Sequence, residues 1–203
     1  MNYRNRFSNQ WSNPFGFSNQ KNERHRVFVS YYHREDQYYR NQFELLFSDI
    51  HDIMISESVE IGDIDPNLNT ETIRQKIRDE YLRDSTVTVV LVGARTWQRK
   101  YVDWEIGSSI RDTQKNPRSG LLSILLPTYP GYQFNEYNPY TIPPRLYDNI
   151  QCQFATIHKW SDDPYTVQSW IHDAFQRRRS TEILPANSRD SFKNNRSGER
   201  WSE

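Results

Sequence analysis

Thr86-Val-Thr-Val-Val-Leu-Val92 is the run that most limits how this chain can fold. It is β-branched and nearly continuous, and a strand of that kind needs apolar cover on both faces. Such cover comes from helices packed above and below a parallel sheet. A short polar loop follows, from Gly93 to Arg99, and then a helical pattern that carries Glu105 beside Val102 and Ile106. This strand–loop–helix order can set a carboxylate at the carboxyl edge of the sheet, where α/β proteins bind ligands. Glu105 is therefore the residue to explain.

The remainder of the chain alternates in the same way. Arg26-Val-Phe-Val-Ser-Tyr31 reads as a short buried strand. Residues 35–50 read as a helix, with Tyr39, Phe43, Leu46, Phe47 and Ile50 on one face. Ile53-Met-Ile55 reads as a second strand. Ser56 to Asn69 holds Gly62, Pro66 and four acidic groups and reads mainly as loop. Asn69 or Thr70 can cap the next helix, on which Ile73, Ile77 and Tyr81 share a face. A helix over 100–114 and a strand at Leu121-Leu-Ser-Ile-Leu-Leu126 come next. Residues 127–150, rich in Tyr, Pro and Asn, read as a long irregular segment. Cys152 to Ile157 reads as an edge strand. Asp163-Pro164 is a good helix start, Asp as N-cap and Pro at the first helical position, and Val167, Trp170, Ile171, Ala174 and Phe175 continue it as an apolar stripe. The pattern predicts a doubly wound α/β domain over residues 25–176, with a mainly parallel sheet of about five strands and helices on both faces. Right-handed crossovers then bring the loops after Tyr31, Ile55 and Val92 to one sheet edge.

Charge separates this body from its flanks. Lys plus Arg and Asp plus Glu both number 26, yet residues 1–26 are net +4, residues 177–203 net +3 and the stretch between them net −7. An acidic body argues against nucleic-acid binding. The basic flanks are left to meet solvent, an anionic partner or the body itself. Residues 1–24 carry interleaved aromatics without periodicity, and residues 177–203 are polar and basic; both are predicted to be disordered tails. Cys152 is the single cysteine, so no disulfide within the chain and no CxxC zinc site can form. The five histidines show no ligand spacing, and no metal is expected. No apolar run is long enough to span a bilayer, and the first residues lack the apolar core of a secretory signal. These features predict a soluble, cytoplasmic protein with no membrane partner.

Several doubly wound families are excluded by what stands at the strand ends. A dinucleotide fold needs GxGxxG after its first strand, where this chain has Ser30-Tyr-Tyr-His-Arg-Glu35, and no GxxxxGK[ST] occurs anywhere. A phosphoacceptor receiver needs acidic residues where Ser30, Tyr31 and Gly93 stand. The residues instead resemble the TIR-like, flavodoxin-like fold, and within it the TIR-like proteins of bacterial Thoeris anti-phage systems. Val27-Phe-Val-Ser-Tyr31 is similar to the family's opening strand, Thr86–Gly93 to its third strand, and Tyr101-Val-Asp-Trp-Glu-Ile106 to its W-x-x-x-E-(L/I) signature. The resemblance covers about residues 26–130.

That resemblance implies an enzyme that consumes NAD as its substrate, without a separate cofactor, by cleaving the nicotinamide–ribose bond. It implies an ADP-ribose-derived signal, in some members cyclic, that activates a separate effector protein in anti-phage defence. It also implies self-association through TIR–TIR contacts. Glu105 occupies the acidic place of the signature and is the catalytic candidate; its alternative is a helix-surface carboxylate paired with Arg99, Lys100 or a nearby cap. Its place near the helix start is expected to keep it charged. Tyr31, Tyr32 and His33 follow the first strand and are candidates for binding the substrate, His33 through a phosphate or else simply exposed. Asp63 lies in the long loop after the second strand, whose acidity favours ribose hydroxyls or a partner. Trp97 and Tyr101 either stack on a ring of the substrate or pack around the helix start. Two other readings compete with the enzyme: a non-catalytic TIR-like scaffold and a module that senses a nucleotide without turnover.

Overall fold

The computed structural model describes residues 5–6, 24–48, 52–55, 68–114 and 116–202. Most of the first 24 residues and the loop with Gly62, Asp63 and Asp65 lie outside them. The described elements are β1 (Asn5–Arg6), β2 (His25–Ser30), α1 (His33–Leu46), β3 (Ile53–Ile55), α2 (Thr70–Lys76), β4 (Val87–Val92), α3 (Lys100–Ser109), β5 (Gly120–Leu125), β6 (Glu136–Tyr137), α4 (Pro144–Gln151), β7 (Ala155–Lys159) and α5 (Pro164–Arg178).

Five strands make one sheet in the order β3-β2-β4-β5-β7, every neighbouring pair parallel. β1 and β6 form a separate antiparallel pair. The alternation of side chains along each strand decides which helix covers which face. Val27 and Val29 of β2, Val87, Val89 and Leu91 of β4, and Leu122 and Ile124 of β5 pack with Phe43 and Phe47 from α1 and its end, and with Val167, Ile171, Ala174 and Phe175 of α5. The residues between them point the other way. Val90, Val92, Leu121 and Leu125 meet Val102 and Ile106 of α3 and Leu146 of α4, while Phe28 meets Ile73, Ile77 and Trp104. Both faces are thus covered, as the β-branched run in β4 requires. Each Val or Leu so buried contributes about 1.5–3 kcal/mol.

Two helices begin at residues whose side chains accept from the otherwise unpaired amides of the first turn. Asn69 caps α2 by accepting from the Thr72 amide at 2.8 Å, and Asp163 caps α5 through the amides of Tyr165 and Thr166. A π-helical turn, Ile77–Tyr81, carries α2 onward.

Two expectations need correction. Residues 127–150 are not wholly irregular, since α4 occupies Pro144–Gln151. Pro144 suits the first turn, where no amide is needed, and Leu146 packs inward; the surrounding Tyr, Pro and Asn hide this short stripe. The second concerns residues after 178. They form no regular element, yet they are not a free tail. Phe192 and Trp201 are buried, and the Arg189 guanidinium holds both oxygens of Asp148 at 2.7 and 2.9 Å. The basic flank therefore meets the body itself. A pattern of isolated anchors gives no periodicity to read.

Candidate functional site

In a sheet of this order the chain leaves β2 toward β3 on one side and reaches β4 on the other. The carboxyl ends of β2 and β4 therefore flank the crevice where such folds bind ligands. Ser30 closes β2, in register with Val90 of β4, and faces the α3 side. Its hydroxyl donates to Oε2 of Glu105 at 2.5 Å. Glu105 reaches that point because Val102 and Ile106 seat α3 on the sheet, leaving position 105 along their margin.

Glu105 is only 3% exposed, and burial pushes its carboxyl from an ordinary 4.5 up to about 8, with the Ser30 hydroxyl pulling the other way. Two expectations about this residue are thereby corrected. It is neither a surface carboxylate paired with Arg99 or Lys100 nor held charged by the helix start. Glu105 is the sixth residue of α3, and the field of a helix terminus falls off within the first turn, so desolvation wins.

A second buried carboxyl stands at the same edge. Asp36, in the first turn of α1, is fully buried and accepts from the hydroxyls of Thr96 at 3.3 Å and Thr128 at 3.2 Å. Burial raises it to about 6, opposed by those two hydroxyls and assisted by Glu35. Thr96 also accepts from the Gly93 amide at 2.8 Å. The carboxyl presses so closely on Gly93 that a Cβ there would lie 2.3 Å from Oδ1, which explains a glycine at the end of β4. Glu35 pairs with Arg95, and the Arg99 guanidinium lies 4.3 Å from the centre of the Tyr32 ring. The start of α1 and the loop before α3 are thus joined through Asp36 and Thr96, Glu35 and Arg95, and Tyr32 and Arg99.

The structure brings the segments 31–36 and 93–105 together, but not every side chain within them. Tyr31 belongs to the core on the α1 and α5 face, opposite to Glu105. Its hydroxyl donates to Gln37 at 2.6 Å and its ring stacks on His33 at 4.1 Å. Strand parity decides this: Ser30 turns toward α3, so its neighbour turns away. Trp97 is buried in the short turn Thr96–Gln98. Tyr101 is half-buried, edge-on to Trp104 at 5.3 Å, with the Lys100 ammonium over both rings. Tyr32 is half-buried at the junction with Arg99. Asp63 lies outside the described residues.

Sequence reasoning missed Asp36 as a buried group, because an acidic residue in a first helical turn is ordinarily solvated there. In the sequence Ser30 belongs to the opening-strand pattern and stands where a receiver would carry an acidic residue; neither reading ties it to Glu105. The parity of β2 against α3 was the signal for Ser30; the glycine at the end of β4 was the one available hint of Asp36.

Among the described residues no group of three or more His, Cys, Asp or Glu is placed to hold a metal ion, and no helix is long and apolar enough to cross a membrane. A family model described as "Thoeris protein ThsB, TIR-like domain" matches residues 28–129. That range runs from β2 through β5 to the buried Tyr129. No curated protein matches the chain.

Proposed function

We propose, from the premise that this chain belongs to the Thoeris ThsB TIR-like domain family, that it cleaves the nicotinamide–ribose bond of NAD and makes an ADP-ribose-derived signal. The observation that carries the reading is the Glu105 carboxyl held by Ser30 at the carboxyl edge of the sheet, between β2 and β4. In this reaction the bond between C1′ of the ribose and the ring nitrogen breaks, and its electron pair leaves with nicotinamide. The leaving group is neutral, so no strong general acid is needed. The ribose passes through an oxocarbenium-like state, and a carboxylate beside it stabilises the growing charge. Water or a nucleophilic oxygen or nitrogen of the ADP-ribose itself then adds at C1′ and loses a proton.

The raised pKa of Glu105 gives this chemistry a pH signature. With its carboxyl near 8, the free protein holds Glu105 mostly protonated at neutral pH. The positively charged nicotinamide ring favours ionisation as it approaches. If the charged form does the work, kcat/KM, which reports the free protein, rises with pH and levels off above about 8.

The product is proposed to act on a separate effector protein in anti-phage defence, with self-association of the TIR-like domain as the activating event. Glu105→Gln keeps size and removes the charge, and is expected to slow nicotinamide release on the order of a hundredfold while NAD binding persists. Release at the wild-type rate in the Gln variant would remove Glu105 from catalysis.

A second reading is favoured by one observation: Glu105 is nearly inaccessible. A carboxyl sealed between α3 and the sheet also suits a scaffold that assembles without turnover. In that case neither wild type nor variant releases nicotinamide under conditions that assemble the protein.

A further inference from the structure

Residues after Ser180 cross α3 and α4 and grip the helix that carries Glu105. The N-cap of α3, Arg99, makes no side-chain cap bond. The Lys100 amide donates instead to Oδ1 of Asn195 at 3.0 Å, so the cap comes from a residue far along the chain. Just before the helix, Gln98 is held at both ends: its carbonyl accepts from the Arg196 amide at 2.8 Å, and its Nε2 donates to the Gly198 carbonyl at 3.0 Å.

Inside the helix the grip continues. The Phe192 amide donates to Oδ2 of Asp103 at 2.9 Å, and its carbonyl accepts from Nε1 of Trp104 at 2.8 Å. Nδ2 of Asn187 donates to the Gly107 carbonyl at 2.9 Å. Arg145 ties these together. Its Nε donates to Oδ1 of Asp103 at 2.9 Å, its Nη1 to Oδ1 of Asn187 at 2.7 Å and its Nη2 to the Arg189 carbonyl at 2.7 Å. Trp201 anchors the far end through the carbonyls of Ile142 and Tyr140.

Positions 100, 103, 104 and 107 follow each other at helical spacing and form one stripe. Val102 and Ile106 face the sheet, and Glu105 meets Ser30 between the two. The helix is held from two sides, and neither the segment nor Arg145 falls in the region the family model matches.

We propose that residues 187–202 form a strap that fixes α3 and thereby seats Glu105 against Ser30 for the reaction, with Asn195 and Arg145 as positioning residues. The catalytic half of this rests on the NAD-cleaving reading above. The physical reason is geometric. One short hydrogen bond locates the carboxyl, and a slide or roll of α3 by about 1 Å can cost on the order of a hundredfold in rate.

Asn195 is exposed, so the full-length Asn195→Ala protein removes the cap while leaving the buried anchors in place. Asn195→Asp restores an acceptor at the helix start. Hydrogen exchange of amides 103–107 and steady-state nicotinamide release from NAD are measured on wild type and both variants. In the Ala variant exchange is expected to quicken about fivefold. Its kcat is expected to fall about tenfold with KM unchanged, and the Asp variant to recover both. Exchange as slow as wild type overturns Asn195 as a positioning residue, and quickened exchange with undiminished kcat overturns the strap's part in catalysis. If the wild type releases no nicotinamide under any activating condition, the NAD-cleaving reading fails, and the strap's part in catalysis with it. The exchange data then decide the hold of Asn195 on α3 alone.

Discussion

Asp103 and Glu105 lie two residues apart on one helix, and both are almost wholly buried, at 1% and 3% exposure. Their surroundings differ. Asp103 has a guanidinium on one oxygen, from Arg145, and the Phe192 amide on the other. Glu105 has, among the described residues, one hydroxyl from Ser30. The first carboxylate is compensated by a full positive charge, so burial leaves it a structural knot between α3, α4 and the C-terminal segment. The second is undercompensated, so burial raises its pKa and leaves an acid able to change its protonation state near neutral pH. The difference teaches that burial alone does not make a residue structural. The charge that accompanies it into the interior decides.

The strongest test of that contrast removes the compensation from Asp103. Arg145→Ala leaves a buried carboxylate without its cation, and the loss of stability is expected at ~3–5 kcal/mol. Urea unfolding followed by circular dichroism measures it, and a loss below ~1 kcal/mol would mean the pair contributes no more than a surface contact.

Glu105 should behave in the opposite sense. Its folded-state pKa, about 8, stands above the ordinary 4.5. Folding therefore favours the protonated form. The stability this lends is complete below about 4.5 and is lost as pH rises through about 8. Gln does not titrate. The melting temperature of Glu105→Gln should match wild type near the lower value and exceed it by roughly 10 °C at the upper one. A wild type that stays the more stable at the upper pH would show that Glu105 is compensated by a charge after all.

The smallest effect belongs to Ser30→Ala. The hydroxyl is the one group opposing burial at Glu105. Without it the carboxyl should titrate higher, and the rise of kcat/KM should move up by about half to one pH unit. An unmoved profile would separate the titrating group from Glu105.

Particular elements show where the sequence was legible. The apolar run of β4 and the stripes of α1, α2 and α5 carried the doubly wound architecture, because a strand buried on both faces and an amphipathic helix admit few partners. The spacing from the end of β4 to Glu105 put that residue at the carboxyl edge. Helix limits were less legible: α3 stops at Ser109 rather than continuing to 114, since Gly107, Ser108 and Ser109 are poor helix formers. α4 was concealed by prolines that in fact suit its first turn.

The sequence by itself determined the alternation of the five sheet strands with α1, α2, α3 and α5, the two covered faces of the sheet and the position of Glu105, since these follow from local periodicity and the handedness of crossovers. Only the tertiary structure decided how Glu105 is held, that Asp36 sits beneath Gly93, that Tyr31 turns into the opposite core and that residues 187–202 clamp α3. Those outcomes depend on contacts between residues as far apart as Lys100 and Asn195. Desolvation and hydrogen bonding at such contacts arise from the packed arrangement, and no repeating pattern along the chain encodes them.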